Sequence, residues 1–454
     1  MTIAEWIATI LKIAVMVNFL LAVGGVLTWL DRRQSAMIHD RIGPNRAMIK
    51  LFGTEWRLAG LLHTVADGIK FFFKEDFIPP KADRLLFGLA PILVMVAVLG
   101  LVGVIPFGDT ISVSSLWQMG ADGHLFFPSV PRYGVHPEHG GWVIPLQIST
   151  LNIGVLYMFA LAGQGIVGAA IAGWSSDNKF SLLGALRAAS QMISYEVVLG
   201  MSLVGTMMIY GTTRLEDMVR WQGENTWGIF IQPVSFFIFF VASVAESKRI
   251  PFDLPEAESE LVSGYFTEYS GMKFGMFYFA EYMEIVTSSM LLVAIFLGGW
   301  QLPFLHPDGV TISFGNSVWF HRELPHLCVI VLGVVAFFVK VLAVCWMQAF
   351  IRWSLPRFRY DQLMKLCWKR LLPISLANIF VTGVLYFLVQ AGGDACASFL
   401  KLVADWSQAA IVLGVWIAFV EAFIGFFKPK KKSEWNPMGS SARQVAALGG
   451  LLNR

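Results

Sequence analysis

The sequence predicts an all-α protein: a polytopic transmembrane helix bundle with structured cytoplasmic loops and one interfacial amphipathic helix. Three observations carry this prediction. Hydrophobic residues make up 56% of the 454 residues and charged residues only 14%, far from the balance of a soluble domain. The apolar residues gather into runs that can cross a hydrocarbon core of about 30 Å at about 1.5 Å per helical residue. Sixteen Trp and 37 Phe suit a lipid-facing surface with aromatic belts.

The first run lies between Trp6 and Trp29, an aromatic for each interface. It lacks a basic leader and exceeds a signal-peptide core, so it reads as a retained span. Lys12 inside it must snorkel or meet a polar partner. The next segment has turn chemistry at Gly43-Pro44-Asn45, flanked by Arg32, Arg33, Arg41 and Arg46. After it, Trp56, Leu61, Leu62, Val65, Ile69 and Phe72 fall near one helical stripe, with Asp67 and Lys70 at i,i+3. That pattern fits a helix lying on the inner leaflet, and equally a peripheral helix packed on the bundle.

Further spans are expected at 85–107, 146–173, 193–211, 228–246, 276–300, 326–350, 367–391 and 406–427. No repeat period is visible, which argues against the inverted-repeat build of many transporters. Gly163-Gln-Gly165-Ile-Val-Gly168 spells a dinucleotide fingerprint, but a working one follows a strand and opens a helix. Here it lies inside a span, where Gly165, Ala169 and Gly173 offer a small face for close packing. In the loop 108–145, His124, His136, Glu138 and His139 lack the helical spacing of a metal site and read as solvated. His306, His321 and His326 read the same way. No metal site is expected.

Basic residues orient the bundle. With the N-terminus outside, the segments 31–84, 174–192, 247–275, 351–371 and 428–454 lie inside and hold 27 of the 34 Lys and Arg, against five outside. This bias places the C-terminus in the cytoplasm, and the chain is expected in a bacterial-type plasma membrane. A net charge of +3 without a basic-aromatic stripe excludes nucleic acid as a partner. The four cysteines (Cys328, Cys345, Cys367, Cys396) are widely separated. Their spacing supplies neither an iron–sulfur nor a zinc framework, and they read as small buried hydrophobes.

The most informative stretch runs from Glu246 to Glu284, with eight acids and three bases. Read as helix, Glu256 and Glu260 share a face and Glu281 and Glu284 lie one turn apart, so their protons leave in coupled steps. Asp253 and Glu256 have capping-box spacing, and Pro255 fits a first turn. Phe252, Leu261, Tyr265, Phe266 and Tyr269 are interleaved with the acids, which predicts a half-buried segment rather than a solvated loop. Arg187, Gln191, Tyr195 and Glu196 stand at the start of a span, where an intramembrane acid is expensive and commonly moves protons. The loop after 351 is basic, with Arg352, Arg357 and Arg359 beside Asp361.

Several stretches together resemble one family: GPNR at 43–46, AD at 66–67 with KE at 74–75, SYEV at 194–197, RIPFDLPEAESELVSGYFTEYSG at 249–271 and PRFRYDQLM at 356–364. They resemble the membrane subunit of respiratory complex I that is lettered H in bacteria and numbered 1 in mitochondria, over about residues 1–392. The resemblance implies eight spans at the junction of the membrane and peripheral arms, a quinone chamber shared with two peripheral subunits, and no cofactor in this chain. Flavin (FMN) and iron–sulfur clusters would belong to partner subunits, with quinone as substrate. It implies that Arg32, Gly68, Lys70, Glu281, Arg352 and Arg357 lie along the quinone passage. Glu196, Asp253, Glu256, Glu258, Glu260 and Glu268 would form the acidic funnel for proton translocation. Asp31 stands where the family usually has Glu, His63-Thr64 where Gln-Pro is usual, and Lys248 where Asn is usual. Residues 393–454, a ninth span with the basic tail KPKKK, lie beyond the usual family end and suit an inner-leaflet or partner contact. Two alternatives stay open. An energy-converting hydrogenase-type membrane subunit would share the acidic loop without binding quinone. A stand-alone ion transporter would need a midplane site on broken helices.

Overall fold

The apolar runs become a helix bundle. The computed structural model describes residues 3–51, 54–56, 58–112, 134–135, 142–255, 258–306, 309–314, 317–391, 403, 406–417 and 420. In chain order the helices are α1 (Ile3–Ile38), α2 (Leu62–Phe73), α3 (Arg84–Leu101), α4 (Gly154–Ser175), α5 (Lys179–Tyr210), α6 (Leu215–Glu224) and α7 (Gly228–Ile231). They continue with α8 (Pro233–Glu246), α9 (Glu258–Leu261), α10 (Gly271–Phe296), α11 (His326–Ser354), α12 (Tyr360–Leu366) and α13 (Leu372–Ala391). Among the described residues seven helical segments are long and apolar enough to cross a membrane, and two more, Pro233–Glu246 and Trp406–Ile417, are apolar but shorter. In order, these are the nine runs expected. The chain is a multi-pass membrane helix bundle.

Two boundaries differ from expectation. The fourth span is a 32-residue helix that starts at Lys179, so Arg187 and Gln191 are helical rather than in a loop. Hydropathy falls across 179–192, but nothing there breaks a helix, and the Asn178 side chain caps its start by accepting the Phe180 N–H at 2.9 Å. Likewise α12 runs through a π-helical turn, Cys367–Leu371, into α13.

The bundle is built around α10, whose most apolar window is 78% buried, against 11% for Tyr360–Ala391 at the margin. Phe277, Met283, Val286, Met290 and Phe296 of α10 meet Phe87, Tyr195, Leu203 and Phe337 in one continuous core. The close approach of α4 to its neighbours is made by Gly168 and Gly173. A Cβ on Gly168 would lie 2.5 Å from Val94, and one on Gly173 would lie 2.2 Å from Ala185. Gly165, expected on that face, has open space around it instead. The packing stripe of α4 therefore runs through Gly168 rather than Gly165.

Short antiparallel strands edge the loops: β1 (Ile49–Leu51) with β2 (Thr54–Trp56), so Trp56 is in a strand and not on the amphipathic helix. β3 (Thr110–Ser112), β4 (Gly134–Val135) and β5 (Trp142–Pro145) form a sheet ordered β3-β5-β4. β6 (Leu305–His306), β7 (Gly309–Phe314) and β8 (Ser317–Glu323) form another, with a register shift at Ile312/Ser313. His124, His136, Glu138 and His139 lie outside the described residues, as does Cys396. Of the remaining cysteines Cys345 and Cys367 are buried, but Cys328 is exposed, contrary to expectation. It lies two residues into α11 on a side the bundle does not cover, whereas His326, expected in a solvated loop, begins that helix and is buried.

Lys12 and Lys340, two lysines inside spans, are satisfied by backbone. Lys12 Nζ donates to Pro145 O at 3.1 Å and Gln147 O at 2.7 Å. Lys340 Nζ donates to Leu297, Gly299 and Gln301 carbonyls at 2.6–3.0 Å and lies over the Trp227 ring. Residues 1–407 form one compact unit and 408–454 a second. In the second, residues 408–417 continue an apolar helix.

Candidate functional site

The stretch between α8 and α10 is folded into the bundle, as its interleaved aromatics predict. Phe252, Leu261, Tyr265, Phe266 and Tyr269 are all buried. Phe252 stacks on Phe358 at 5.4 Å and Tyr269 on Phe87 at 4.0 Å. Burial pushes the Tyr269 hydroxyl up to about 12, so it stays neutral. Gln191 of α5 pins the stretch by donating to the Ala245 and Phe252 carbonyls, both at 2.8 Å. The expected capping role of Asp253 is not what the structure shows. Its carboxylate accepts from Arg357 Nη2 at 2.8 Å, and the local helix is a single turn, Glu258–Leu261. Glu256 lies outside the described residues.

The centre of the site is Asp31, near the end of α1. Its Oδ2 accepts from Arg249 Nη1 at 3.2 Å, from the Tyr282 hydroxyl at 2.9 Å and from Arg352 Nη1. Arg249 stacks on the Tyr282 ring at 3.8 Å and reaches toward Glu281 at 4.0 Å, whose other oxygen accepts from the Tyr265 hydroxyl at 3.3 Å. Burial works against the charge on Arg249. Tyr282, Asp31 and Glu281 around it outweigh that, and its pKa is held above the ordinary arginine value. Arg249 is therefore a fixed positive charge and not a proton carrier.

On one side of Asp31 opens a cavity of about 460 Å³, walled by Arg32, Arg41, Pro44, Arg46, His63, Tyr278, Tyr282 and Arg352. The Gly43-Pro44-Asn45 turn forms its rim. His63 Nε2 accepts the amide N–H groups of Arg46 and Ala47, both at 3.3 Å, while its Nδ1 meets the Gly60 carbonyl at 3.2 Å. One ring thus ties the turn to the start of α2. On the other side lie the intramembrane acids. Glu246, Lys248 and Glu284 border a smaller cavity of about 70 Å³, with Lys248 Nζ 3.4 Å from Glu284. Chemically the arrangement sets a row of hydrogen-bond donors around an open cavity and joins it to buried carboxylates through one shared aspartate.

The family model described as NADH dehydrogenase matches residues 11–383. The first of the NADH-quinone oxidoreductase H subunits of Cytophaga hutchinsonii is 41% identical over 361 residues, 80% of this chain and 91% of that protein. The second H subunit of Geobacter metallireducens is 39% identical, covering 85% and 97%, and the H subunit of Thermomicrobium roseum is 41% identical, covering 82% and 93%. The chain belongs to the family of NADH-quinone oxidoreductase H subunits. As a subunit of such an oxidoreductase complex it has other complex I subunits as partners.

The residues singled out from sequence do not fall in one place. Arg32 and Arg352 line the larger cavity, Arg32 also pairing with Asp67 at 2.5 Å. Gly68 and Lys70 sit on the exposed face of α2. That helix touches α10 through Phe71, 5.9 Å from Phe274, while Phe72 and Phe73 are 72% and 87% exposed, so its apolar stripe is not packed on this bundle. Glu281 lies behind Arg249, away from the cavity, and Arg357 holds Asp253. Glu196 is half-buried on α5, Glu260 is exposed and paired with Arg187 at 2.7 Å, and Glu268 accepts from Asn178 at 2.7 Å. Glu258 begins α9. Sequence reasoning bounded the acidic stretch by Glu246 and Glu284 and paired Glu284 with Glu281, but it gave no site role to Asp31, Arg249, Tyr282 or Lys248. Asp31 and Arg352 are 321 positions apart, a pairing no local period can report. The one available signal was the placing of an acid at a span's edge.

Proposed function

We propose that this chain forms the membrane wall of the quinone-reduction chamber and passes charge from that chamber to its buried acids. The observation that carries the reading is the position of Asp31, shared by Arg352 on the cavity side and Arg249 on the acid side. A quinone head needs a few donors in an otherwise apolar enclosure, and the cavity wall offers the guanidinium groups of Arg32, Arg41, Arg46 and Arg352. Negative charge developing on the head draws Arg352 toward it and weakens its hold on Asp31. Asp31 then leans on Arg249, Arg249 holds Glu281 less, and Glu281 takes up a proton more readily. Glu281 belongs on this reading with the coupling acids. Glu196, Glu246 and Glu284 continue the path inside the bundle, and Asp253, Glu256, Glu258, Glu260 and Glu268 supply it from the cytoplasmic face. Arg357 keeps Asp253 in place, while Gly68 and Lys70 mark the outer side of the passage, where the apolar stripe of α2 meets lipid. FMN and iron–sulfur clusters reside in partner subunits, and residues 393–454 form an added membrane segment with a cytoplasmic tail.

The test is Arg352→Ala in the assembled complex. Losing a charge-assisted hydrogen bond, worth about 1.5–3 kcal/mol, should lower quinone reduction by roughly tenfold or more. NADH oxidation by an artificial hydrophilic acceptor should change little. Equal loss of both activities with assembly intact would remove Arg352 from the quinone passage.

A further inference from the structure

Lys248 has a backbone that argues against lysine. Its φ is +56°, in the left-handed region where Cβ crowds the following carbonyl and only Gly, or a short polar residue such as Asn, settles cheaply. The reason for lysine therefore lies in the side chain. The side chain is 3% exposed, and its ammonium stands 3.4 Å from Glu284 Oε2. Its charge also acts on Glu246 and Glu281. It borders the cavity of about 70 Å³ together with Glu246, Glu284, Ser243, Thr287 and Ser288. The three hydroxyls each donate to a carbonyl of their own helix, Phe240, Glu284 and Ile285, at 2.9–3.0 Å. They turn lone pairs, not protons, toward neighbours. Two carboxylates and three such hydroxyls are hard oxygen donors, the set that suits a small inorganic cation, and the space admits one with a water.

We propose that Lys248 is the tethered counter-cation of this chamber: it fills the place a mobile monovalent cation would take and reserves the acids for protons. The inference rests on reading these acids as coupling groups. Lys248 acts through Glu284 and Glu246 and is a positioning residue.

Two neutral substitutions separate charge from backbone. Lys248→Asn relieves the left-handed strain, and Lys248→Met keeps it. In membranes carrying the assembled complex and buffered with choline, both should lower thermal stability and reduce quinone reduction at least about fivefold, as unmasking a buried charge does. Replacing choline with Na⁺ should restore both readouts in both variants. The wild type and Lys248→Arg should not respond to Na⁺. The double variant Lys248→Asn with Glu284→Gln, balanced in charge, should assemble and be indifferent to Na⁺. Neutral variants that ignore Na⁺, a wild type that needs it, or a defect confined to Lys248→Met would each overturn the proposal. If neither single variant assembles, assembly of the double variant supports it and failure of the double overturns it. Na⁺ restoring stability while quinone reduction never changed would support the counter-cation role and sink the coupling role of the acids.

Discussion

At the scale of the residue, one carboxylate matters more here than a run of acids. Asp31 is buried and holds two arginines and a tyrosine from three other parts of the chain. Removing one member of such a group leaves uncompensated buried charge, at a cost of about 3–5 kcal/mol. Asp31→Asn should therefore lower the thermal stability of the assembled complex, with Arg249 and Arg352 left to repel one another. Asp31→Asn combined with Arg352→Gln should recover part of that loss, and the pair should be strongly non-additive in a double-mutant cycle. Additive effects, read from melting curves followed by native gels, would show that the two residues act separately. By contrast Glu260, one of the acids that stood out in the sequence, is 62% exposed where it meets Arg187. Surface pairs of that kind contribute little.

Elements were legible wherever hydropathy decides them. The apolar runs became helices, and the interleaving of aromatics with acids foretold the burial of Phe252, Leu261, Tyr265, Phe266 and Tyr269. Helix ends were less legible because hydropathy reports lipid contact while helix formation depends on the backbone. So α5 continues through Lys179 and Arg187, where the apolar signal stops. The packing face of α4 was legible only in kind. Gly173 lies against Ala185 and the Ser181 carbonyl, whereas Gly165 meets open space. Gly173→Val should thus force α4 from α5 and abolish assembly, the overpacking cost exceeding about 1–3 kcal/mol. Gly165→Ala should assemble and turn over like the wild type. The comparison needs only native gels and a quinone reductase assay, and equal tolerance of both changes would move the interface elsewhere.

For the whole molecule, composition and charge bias speak to membrane placement but not to which distant parts meet. The site is made of pairings across hundreds of positions, and those emerge only when the apolar segments pack. Orientation rests on the basic excess of alternate segments and has a direct check. Lys81 and Glu323 are both exposed and lie on connections of opposite sides. In sealed right-side-out vesicles a cysteine replacing Glu323 should react with an impermeant thiol reagent. A cysteine replacing Lys81 should react only after permeabilisation. Labelling of the latter in sealed vesicles would invert the map.

Lys12 also carries a lesson about synthesis. Its two carbonyl acceptors, at 145 and 147, are made more than 130 residues after it. At a ribosomal pace of about 5–20 residues per second, the ammonium waits several seconds for them. Through that interval the first helix holds a charge that hydrocarbon rejects and only water or a lipid headgroup can satisfy. The newborn segment is therefore drawn outward by its own lysine, and the loop before α4 later closes over the charge. The order in which the chain emerges thus delays the first helix's commitment to its depth in the membrane until residue 147 has been made.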